Sequence, residues 1–193
     1  FPLLAPVSEC ATLKDKADAL IQVPMTSREK YDLLLMAMGA YTPLDGFVGE
    51  ADWKGACRNM KLENGLFWPI PITLSVTKEL ATRISIGDEV VLVDPEEDNL
   101  PMAILTVDEK YYPDREFECR HVFGTVEEGH PGVKRVINQG PVNLGGKLVV
   151  FDEGEFPNIF NDLYIRPGKS RDLFKELGWS EVTAFQTRNP MHR

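Results

Sequence analysis

Apolar and polar positions follow three different patterns along the chain, and the first is helical. Apolar residues recur at positions 31, 34, 35 and 38, which lie on one face of a helix. The preceding Thr26-Ser27-Arg28-Glu29 has the form of a capping box, and Gly39 follows the last apolar position. This pattern predicts a helix over 26–38. We also expect a short helix over Asp52–Met60, an Asn64-Gly65 turn, and an irregular segment before residue 26.

The second pattern is that of short β-strands separated by turns. Pro69 and Pro71 limit the first of these strands to a sheet edge or a bulge, because proline cannot donate a backbone hydrogen bond. Ile86-Gly87-Asp88 marks a turn before the second strand. Several short strands with intervening turns favour a small barrel or sandwich over a parallel sheet. The predicted strands cover residues 67–76, 89–93, 102–107, 133–137 and 147–151.

The pattern changes again near residue 165. After the break at Arg166-Pro167-Gly168, Lys169–Leu177 has the spacing of a short amphipathic helix, and Val182–Phe185 is apolar enough to predict a buried strand. A helix, a strand and a polar loop are the opening of an α/β nucleotide-binding domain, whose sheet about thirty residues cannot complete. We therefore expect one domain over 1–165 and the beginning of a second over 166–193. The side chains that this helix is expected to bury are Leu173, Phe174 and Leu177.

The last eight residues, Gln186–Arg193, carry the densest polar pattern of the chain. Asn189 suits the N-cap of a helix and Pro190 suits its first position. Such a helix would present unused backbone N–H groups and the positive end of its dipole, which together attract an oxyanion. The residues that add side-chain donors around the same point are Gln186, Thr187, Arg188 and His192. The sequence therefore predicts a phosphate or sulfate site at this end.

Composition narrows the function classes. The net charge is −9, and an acidic chain repels the nucleic-acid backbone, so we expect no nucleic-acid partner. Cys10, Cys57 and Cys119 are far apart and lack zinc-ligand spacing, which favours reduced thiols, a cytoplasmic location and no protein-bound metal. No apolar stretch approaches the roughly 20 residues that span a bilayer, and Phe1-Pro2-Leu3-Leu4 lacks the basic start of a signal peptide. We therefore expect no membrane association.

The terminal octapeptide, QTRNPMHR, resembles the sulfate- and nucleotide-binding motif of the ATP sulfurylases (sulfate adenylyltransferases), which typically reads QTRNPxHRxH. Its form favours the microbial-type enzymes over the animal bifunctional PAPS synthetases. One upstream segment, GAYTPLDGF, has Thr42 where the family usually has Ser. The upstream segments that resemble the family, in the same order, are Gly39–Phe47, Trp68–Ile72, His130–Val133 and Arg166–Trp179.

This resemblance implies an α+β fold: a PUA-like β-barrel domain with flanking helices, followed by the first element of an α/β, Rossmann-like nucleotidyltransferase domain. It implies a reversible reaction in which a sulfate oxygen attacks the α-phosphorus of ATP, bound as its Mg²⁺ complex, to give adenosine 5′-phosphosulfate and pyrophosphate. Sulfate is already ionised at neutral pH, so no general base is needed. A homo-oligomer is the expected assembly of the full-length enzyme.

The resemblance also assigns roles to the terminal residues. His192 resembles the first histidine of a His-x-x-His signature whose second histidine would follow Arg193, so we expect the 193-residue chain to be inactive by itself. The residues expected to be catalytic are Thr187, Arg188 and Asn189. Those expected to bind sulfate or ATP are Gln186, Arg188, Asn189 and His192.

Two other readings stay open. A PUA-like domain could bind RNA, against which the negative charge argues. The chain could equally be a structural or oligomerisation domain without activity of its own. His130, within the HPGV segment, is interpreted as a turn residue that packs on the barrel rather than as a catalytic group.

Overall fold

The computed structural model describes residues 2–159 and 161–187, in which helices are interspersed with the strands of one sheet. The helices are α1 (Val7–Ala17), α2 (Ser27–Ala37), α3 (Glu50–Asn59), α4 (Lys78–Arg83), α5 (Arg115–Val122), α6 (Pro131–Ile137), α7 (Phe156–Ile159) and α8 (Pro167–Glu176), with a 3₁₀ turn at Pro95–Glu97. The strands are β1 (Ile21–Pro24), β2 (Gly46–Phe47), β3 (Leu74–Val76), β4 (Glu89–Asp94), β5 (Leu100–Tyr111) and β6 (Val142–Val150).

The six strands form a mixed sheet in the order β1-β4-β5-β6-β2, and β3 also pairs with β6. β1 lies parallel to β4, whereas the other pairings are antiparallel. The long central pair runs from Ala103 opposite Val150 to Tyr111 opposite Asn143. An isolated parallel bridge from Leu4 to Val150 joins the start of the chain to the end of β6. The α+β class expected from the sequence is therefore confirmed.

Both faces of β4 are buried. Val90 and Leu92 of β4 belong to the main cluster, which includes Leu33 and Met36 of α2. The intervening Val91 and Val93 belong to a second cluster with Ala17 of α1. Successive side chains of a strand point to opposite faces, so a strand covered on both sides is apolar throughout. This explains the continuous apolar run in β4.

The helix predicted over 26–38 is confirmed as α2, and its capping box is complete. The Thr26 hydroxyl accepts a hydrogen bond from the Glu29 backbone N–H at 3.4 Å, and Glu29 Oε2 accepts one from the Thr26 N–H at 2.9 Å. The second carboxylate oxygen of the buried Glu29 accepts the backbone N–H of Ser75 at 2.7 Å. One side chain therefore both caps the helix and fixes it to β3.

The prediction of a strand over 133–137 is wrong, because these residues form α6. His130 is its N-cap: the ring Nδ1 accepts hydrogen bonds from the N–H groups of Gly132 and Val133, and Pro131 occupies the first turn. The His130 ring also packs on Phe123 with centroids 5.1 Å apart. His130, expected in a turn that packs on the barrel, instead caps a helix and packs on Phe123, beside a small cluster of Cys119, Val133 and Val136.

Two other element predictions need correction. The segment before residue 26, expected to be irregular, contains α1. The strand expected over 67–76 is limited to Leu74–Val76, because Pro69 and Pro71 interrupt the ladder ahead of it. Phe67, ahead of this strand, is 68% exposed.

The strands β2 and β6 approach each other closely at a pair of glycines. A Cβ atom added to Gly46 would lie 1.8 Å from the carbonyl oxygen of Gly146. No rotamer can relieve a clash with backbone, so Gly46 is required for the β2 pairing.

Candidate functional site

The predicted oxyanion site lies at the limit of the described residues. Gln186 and Thr187 are described, and both are exposed. Arg188, Asn189 and His192 lie outside the described residues. The convergence of these five side chains on one anion therefore stays a prediction.

The segment that leads to this motif is helical but not buried. The helix predicted over 169–177 is present as α8. The burial expected for its apolar face is wrong: Leu173 is 36% and Leu177 50% exposed, and Phe174 is half-buried against the stacked ring of Trp179. α8 has no second layer to pack on within residues 2–159 and 161–187, so its apolar side stays in solvent.

The buried strand predicted at Val182–Phe185 is also wrong for the described structure. These residues form no strand, and Val182 and Phe185 are 49% and 78% exposed. A strand needs a neighbour for its backbone groups, and the described residues place none beside this segment. Together with α8 it forms an apolar row of exposed side chains, which we call the carboxyl-terminal row: Leu173, Leu177, Trp179, Val182 and Phe185.

A polar and aromatic anchor joins this segment to the rest of the fold. Glu153 is largely buried and forms an ion pair with Arg166, the N-cap of α8. The Tyr164 hydroxyl donates to the other Glu153 oxygen at 3.3 Å. The Tyr164 ring meets Phe156 edge-on, and Phe156 in turn meets Tyr31 of α2 at 6.4 Å. The start of α8 is therefore positioned by contacts with the main fold.

Beside this anchor lies a cleft of about 970 Å³. Its floor is the outer face of α2, where Arg28, Tyr31, Asp32 and Leu35 follow one another at helical spacing. Its walls are the junction of β3 with α4 and the end of α6 with the loop that follows, residues 134–140. Sequence reasoning did not identify this cleft, because it used α2 only for its apolar periodicity; the i, i+4 pair of Arg28 and Asp32 was the available signal.

Asp32 is the chemically unusual group of the cleft. Arg28 Nη1 donates to Asp32 Oδ2 at 3.1 Å, and the Tyr41 hydroxyl donates to Oδ1 at 3.5 Å. Burial raises the pKa of Asp32 to about 6, with a further increase from the nearby Glu29, while the charge of Arg28 and the Tyr41 hydrogen bond act in the opposite direction. Arg28 is itself held by a hydrogen bond from Nη2 to the Thr73 carbonyl at 2.9 Å. The cleft thus carries a fixed guanidinium and a carboxyl group that titrates near neutrality.

The cysteines and carboxylates form no metal site in the part of the chain that the structure describes. Cys10, Cys57 and Cys119 are free thiols, and burial raises the pKa of Cys57 to about 12. Residues 2–159 and 161–187 contain no group of three or more His, Cys, Asp or Glu side chains arranged to hold a metal ion. Within the same residues, no helix combines the length and apolar character needed to cross a membrane.

The chain matches two protein families over adjacent ranges. Residues 2–153 match the PUA-like domain, and residues 161–193 match the ATP-sulfurylase family. The expected PUA-like fold is therefore confirmed for the larger part of the chain.

Curated relatives match over the whole chain. The chain is 51% identical over 192 residues to a sulfate adenylyltransferase of Chlorobaculum tepidum, with coverage of 100% of this chain and 47% of that protein. It is 50% identical over 192 residues to a sulfate adenylyltransferase of Pelodictyon phaeoclathratiforme, with the same coverage. The chain thus spans about half the length of the curated relatives it matches.

One solved structure resembles the whole chain. It is described as a hexameric APS kinase from Thiobacillus denitrificans, and the TM-score is 0.75 at 26% sequence identity. The match covers 100% of this chain and 33% of that one.

Proposed function

We propose that this chain, which belongs to the PUA-like domain family over residues 2–153 and matches the ATP-sulfurylase family over residues 161–193, is part of a sulfate adenylyltransferase. The observation that carries the proposal is identity of about 50% to curated sulfate adenylyltransferases over 192 residues. In this proposal the PUA-like domain supports the chain that follows it, and Gln186–Arg193 binds the reacting oxyanions.

The proposed reaction joins sulfate to the adenylyl group of ATP. A sulfate oxygen forms a bond to the α-phosphorus, the bond from that phosphorus to the bridging oxygen breaks, and pyrophosphate leaves. Sulfate brings its own electron pair and no proton has to be removed. The obstacle is repulsion between anions, about 4 kcal/mol for two unit charges 4 Å apart at a surface-like dielectric. Positioned donors must therefore provide most of the catalysis.

The residues of the terminal motif have the chemistry for this task. A guanidinium such as that of Arg188 can bind two sulfate oxygens at once. Gln186 and Thr187 can donate to sulfate or the α-phosphate, Asn189 can cap a helix and reach the phosphates, and His192 can bind the leaving pyrophosphate. The motif serves both directions, because one site catalyses both directions of an equilibrium.

Magnesium would arrive with ATP as the substrate complex. The described residues offer no cluster of protein ligands that would hold it, so the ATP phosphates would carry it. The protein's own residues would then bind the parts of the phosphates that the ion leaves open.

The exposed carboxyl-terminal row supports a longer active protein. The curated relatives are about twice as long as this chain, and further chain in such a protein would cover Leu173, Leu177 and Phe185. We also propose that the full-length protein is a cytoplasmic homo-oligomer; the similar solved structure is described as hexameric.

The experiment that tests the proposal is a chimera. Residues 1–193 replace the matching part of the Chlorobaculum tepidum sulfate adenylyltransferase, and sulfate-dependent release of pyrophosphate from ATP is measured. We expect an active chimera and a loss of about 10²- to 10³-fold in kcat for Arg188→Ala, the size of effect seen when one oxyanion donor is removed. Arg171→Ala, an exposed position of α8, is the matched control and should leave the rate unchanged.

Two outcomes would contradict the proposal. Full activity of the Arg188→Ala chimera would remove Arg188 from the reaction, and a folded but inactive parent chimera would argue against the function itself. We expect the 193-residue chain by itself to be inactive, so clear turnover by it would overturn that expectation. A filter-binding titration with RNA at low salt tests the rival RNA-binding function, and tight binding would favour it.

A further inference from the structure

The cleft on the outer face of α2 has the size and composition of a ligand site. Its volume of about 970 Å³ lies within the range of small-molecule clefts. It is lined by residues between Pro24 and Gly140, whereas the terminal motif begins at Gln186. None of the chemistry proposed for the terminal motif uses the cleft.

The charge of the cleft is opposite to that of the chain. The protein has a net charge of −9, yet the cleft is lined by three cations, Arg28, Lys134 and Arg135, and a single carboxylate, Asp32. Among the described residues, neither Lys134 nor Arg135 forms an ion pair with a carboxylate. A concave surface lined by one sign of charge concentrates counter-charged ligands.

The remaining lining offers apolar and polar contacts for the rest of a ligand. Tyr31, Leu35 and Tyr41 present side-chain surface to the cleft, and Tyr31 is 53% exposed. Tyr41 is held edge-on to Trp68 at 5.6 Å, so its ring has a fixed orientation.

We propose that this cleft binds a small organic anion, with its anionic group facing Arg28, Lys134 and Arg135 and its planar or apolar part against Tyr31, Leu35 and Tyr41. The Thr73 carbonyl, which accepts a hydrogen bond from Arg28 Nη2 at 2.9 Å, holds the guanidinium in place for this role. A phosphate or sulfate monoester of a ring compound has the required chemistry.

Asp32 makes the binding depend on pH. The charged and titratable groups at the cleft are Arg28, Tyr31, Asp32, Tyr41, Lys134 and Arg135, with Glu29 behind Arg28. Burial raises the pKa of Asp32 to about 6, so this carboxyl gains its proton as the pH falls through that value. The cleft then becomes more positive, and anions bind more tightly at low pH.

The test uses phenyl phosphate, with inorganic phosphate for comparison. The terminal motif is itself proposed to bind oxyanions, so the positions of the residues that shift separate the two sites. Amide chemical shifts of the ¹⁵N-labelled 193-residue chain are followed during titration. We expect saturable shifts at lining residues such as Thr77, Asn138 and Gly140, and phenyl phosphate about tenfold tighter than phosphate because its ring is buried. Absent shifts, shifts confined to residues 186–193, or equal affinities of the two probes would overturn the proposal.

Charge variants test the assignment. The double variant Lys134→Ala, Arg135→Ala should bind phenyl phosphate about tenfold more weakly, since two nearby cations are lost. The control Lys54→Ala, Lys61→Ala changes the net charge equally at exposed positions outside the cleft and should bind like the parent. Equal weakening in both double variants would overturn the assignment.

Asp32→Asn provides an independent readout. It removes the negative charge beside Arg28. Phenyl sulfate is the probe here, because its charge does not change near pH 6, whereas a phosphate monoester has its second pKa at about 6. Phenyl sulfate should bind more tightly to the variant at neutral pH, and the dependence of its binding on pH near 6 should disappear. A purely structural role for Asp32 predicts weaker binding, and that result would overturn the proposal.

Discussion

The carboxylate of Asp32 has two hydrogen-bond donors, yet it lies in a buried environment that disfavours its charged form. Its carboxylate accepts from Arg28 and Tyr41, but burial has the largest effect on its pKa. The pKa rises from 3.8 to about 6, so between these values the folded protein binds a proton that the unfolded chain has released. The contribution of Asp32 to the free energy of unfolding is greatest below its pKa in the unfolded chain. This contribution falls as the pH rises through its pKa in the folded protein.

Replacement of Asp32 by Asn should therefore flatten the pH dependence of stability. Relative to Asp32→Asn, the parent should lose about 2 kcal/mol of unfolding free energy between about pH 4 and about pH 7.5, since one pKa unit corresponds to about 1.4 kcal/mol and part of the change lies below pH 4. Urea denaturation followed by circular dichroism at both pH values measures this difference. Parallel pH profiles for the two proteins would show that the carboxyl does not titrate in this range.

At the scale of elements, the capping box of α2 also fixes this helix to the sheet, because its Glu29 accepts a hydrogen bond from Ser75 of β3. Thr26→Ala removes the hydroxyl that caps the helix and also donates to the buried Glu29 at 2.7 Å. We expect a loss of about 1–2 kcal/mol, the upper part of the range for an N-cap, because Glu29 also loses a donor. Thr26→Ser keeps the hydroxyl and should stay close to the parent in thermal denaturation. Equal melting temperatures for the Ala and Ser variants would contradict this account.

The sequence predicted those elements whose signals are local. The capping box and helical spacing of α2, the turn at Gly87 and the apolar run of β4 all appear where expected. α6 was missed because a short run with Val133 and Val136 fits a strand as well as a helix, and the His130 cap was not recognised. The cleft could not be predicted, since it joins α2 to residues more than 100 positions later in the chain. The terminal motif was recognised from its residues, and its geometry stays a prediction.

At the scale of the whole molecule, the core and the carboxyl-terminal segment differ in packing. The two clusters that hold the sheet lie between Ala5 and Phe151, whereas the carboxyl-terminal row is exposed. A chain that ends after Arg166, which keeps the ion pair with Glu153, should therefore unfold cooperatively with a melting temperature within about 3 °C of the 193-residue chain. Thermal denaturation by circular dichroism measures this. A much lower melting temperature would show that α8 stabilises the core.

The bridge between Leu4 and Val150 has a consequence for biosynthesis. The Ala5 N–H donates to the Val150 carbonyl at 2.7 Å, and the Val150 N–H donates to the Leu3 carbonyl at 3.0 Å. The backbone partner of these first residues is therefore a strand that is synthesised about 145 positions later. While the ribosome is still translating, residues 3–5 must wait for β6 to emerge before this sheet can close. Once closed, the two ends of the folded unit lie side by side, an arrangement that suits it to insertion within, or attachment to, a larger polypeptide.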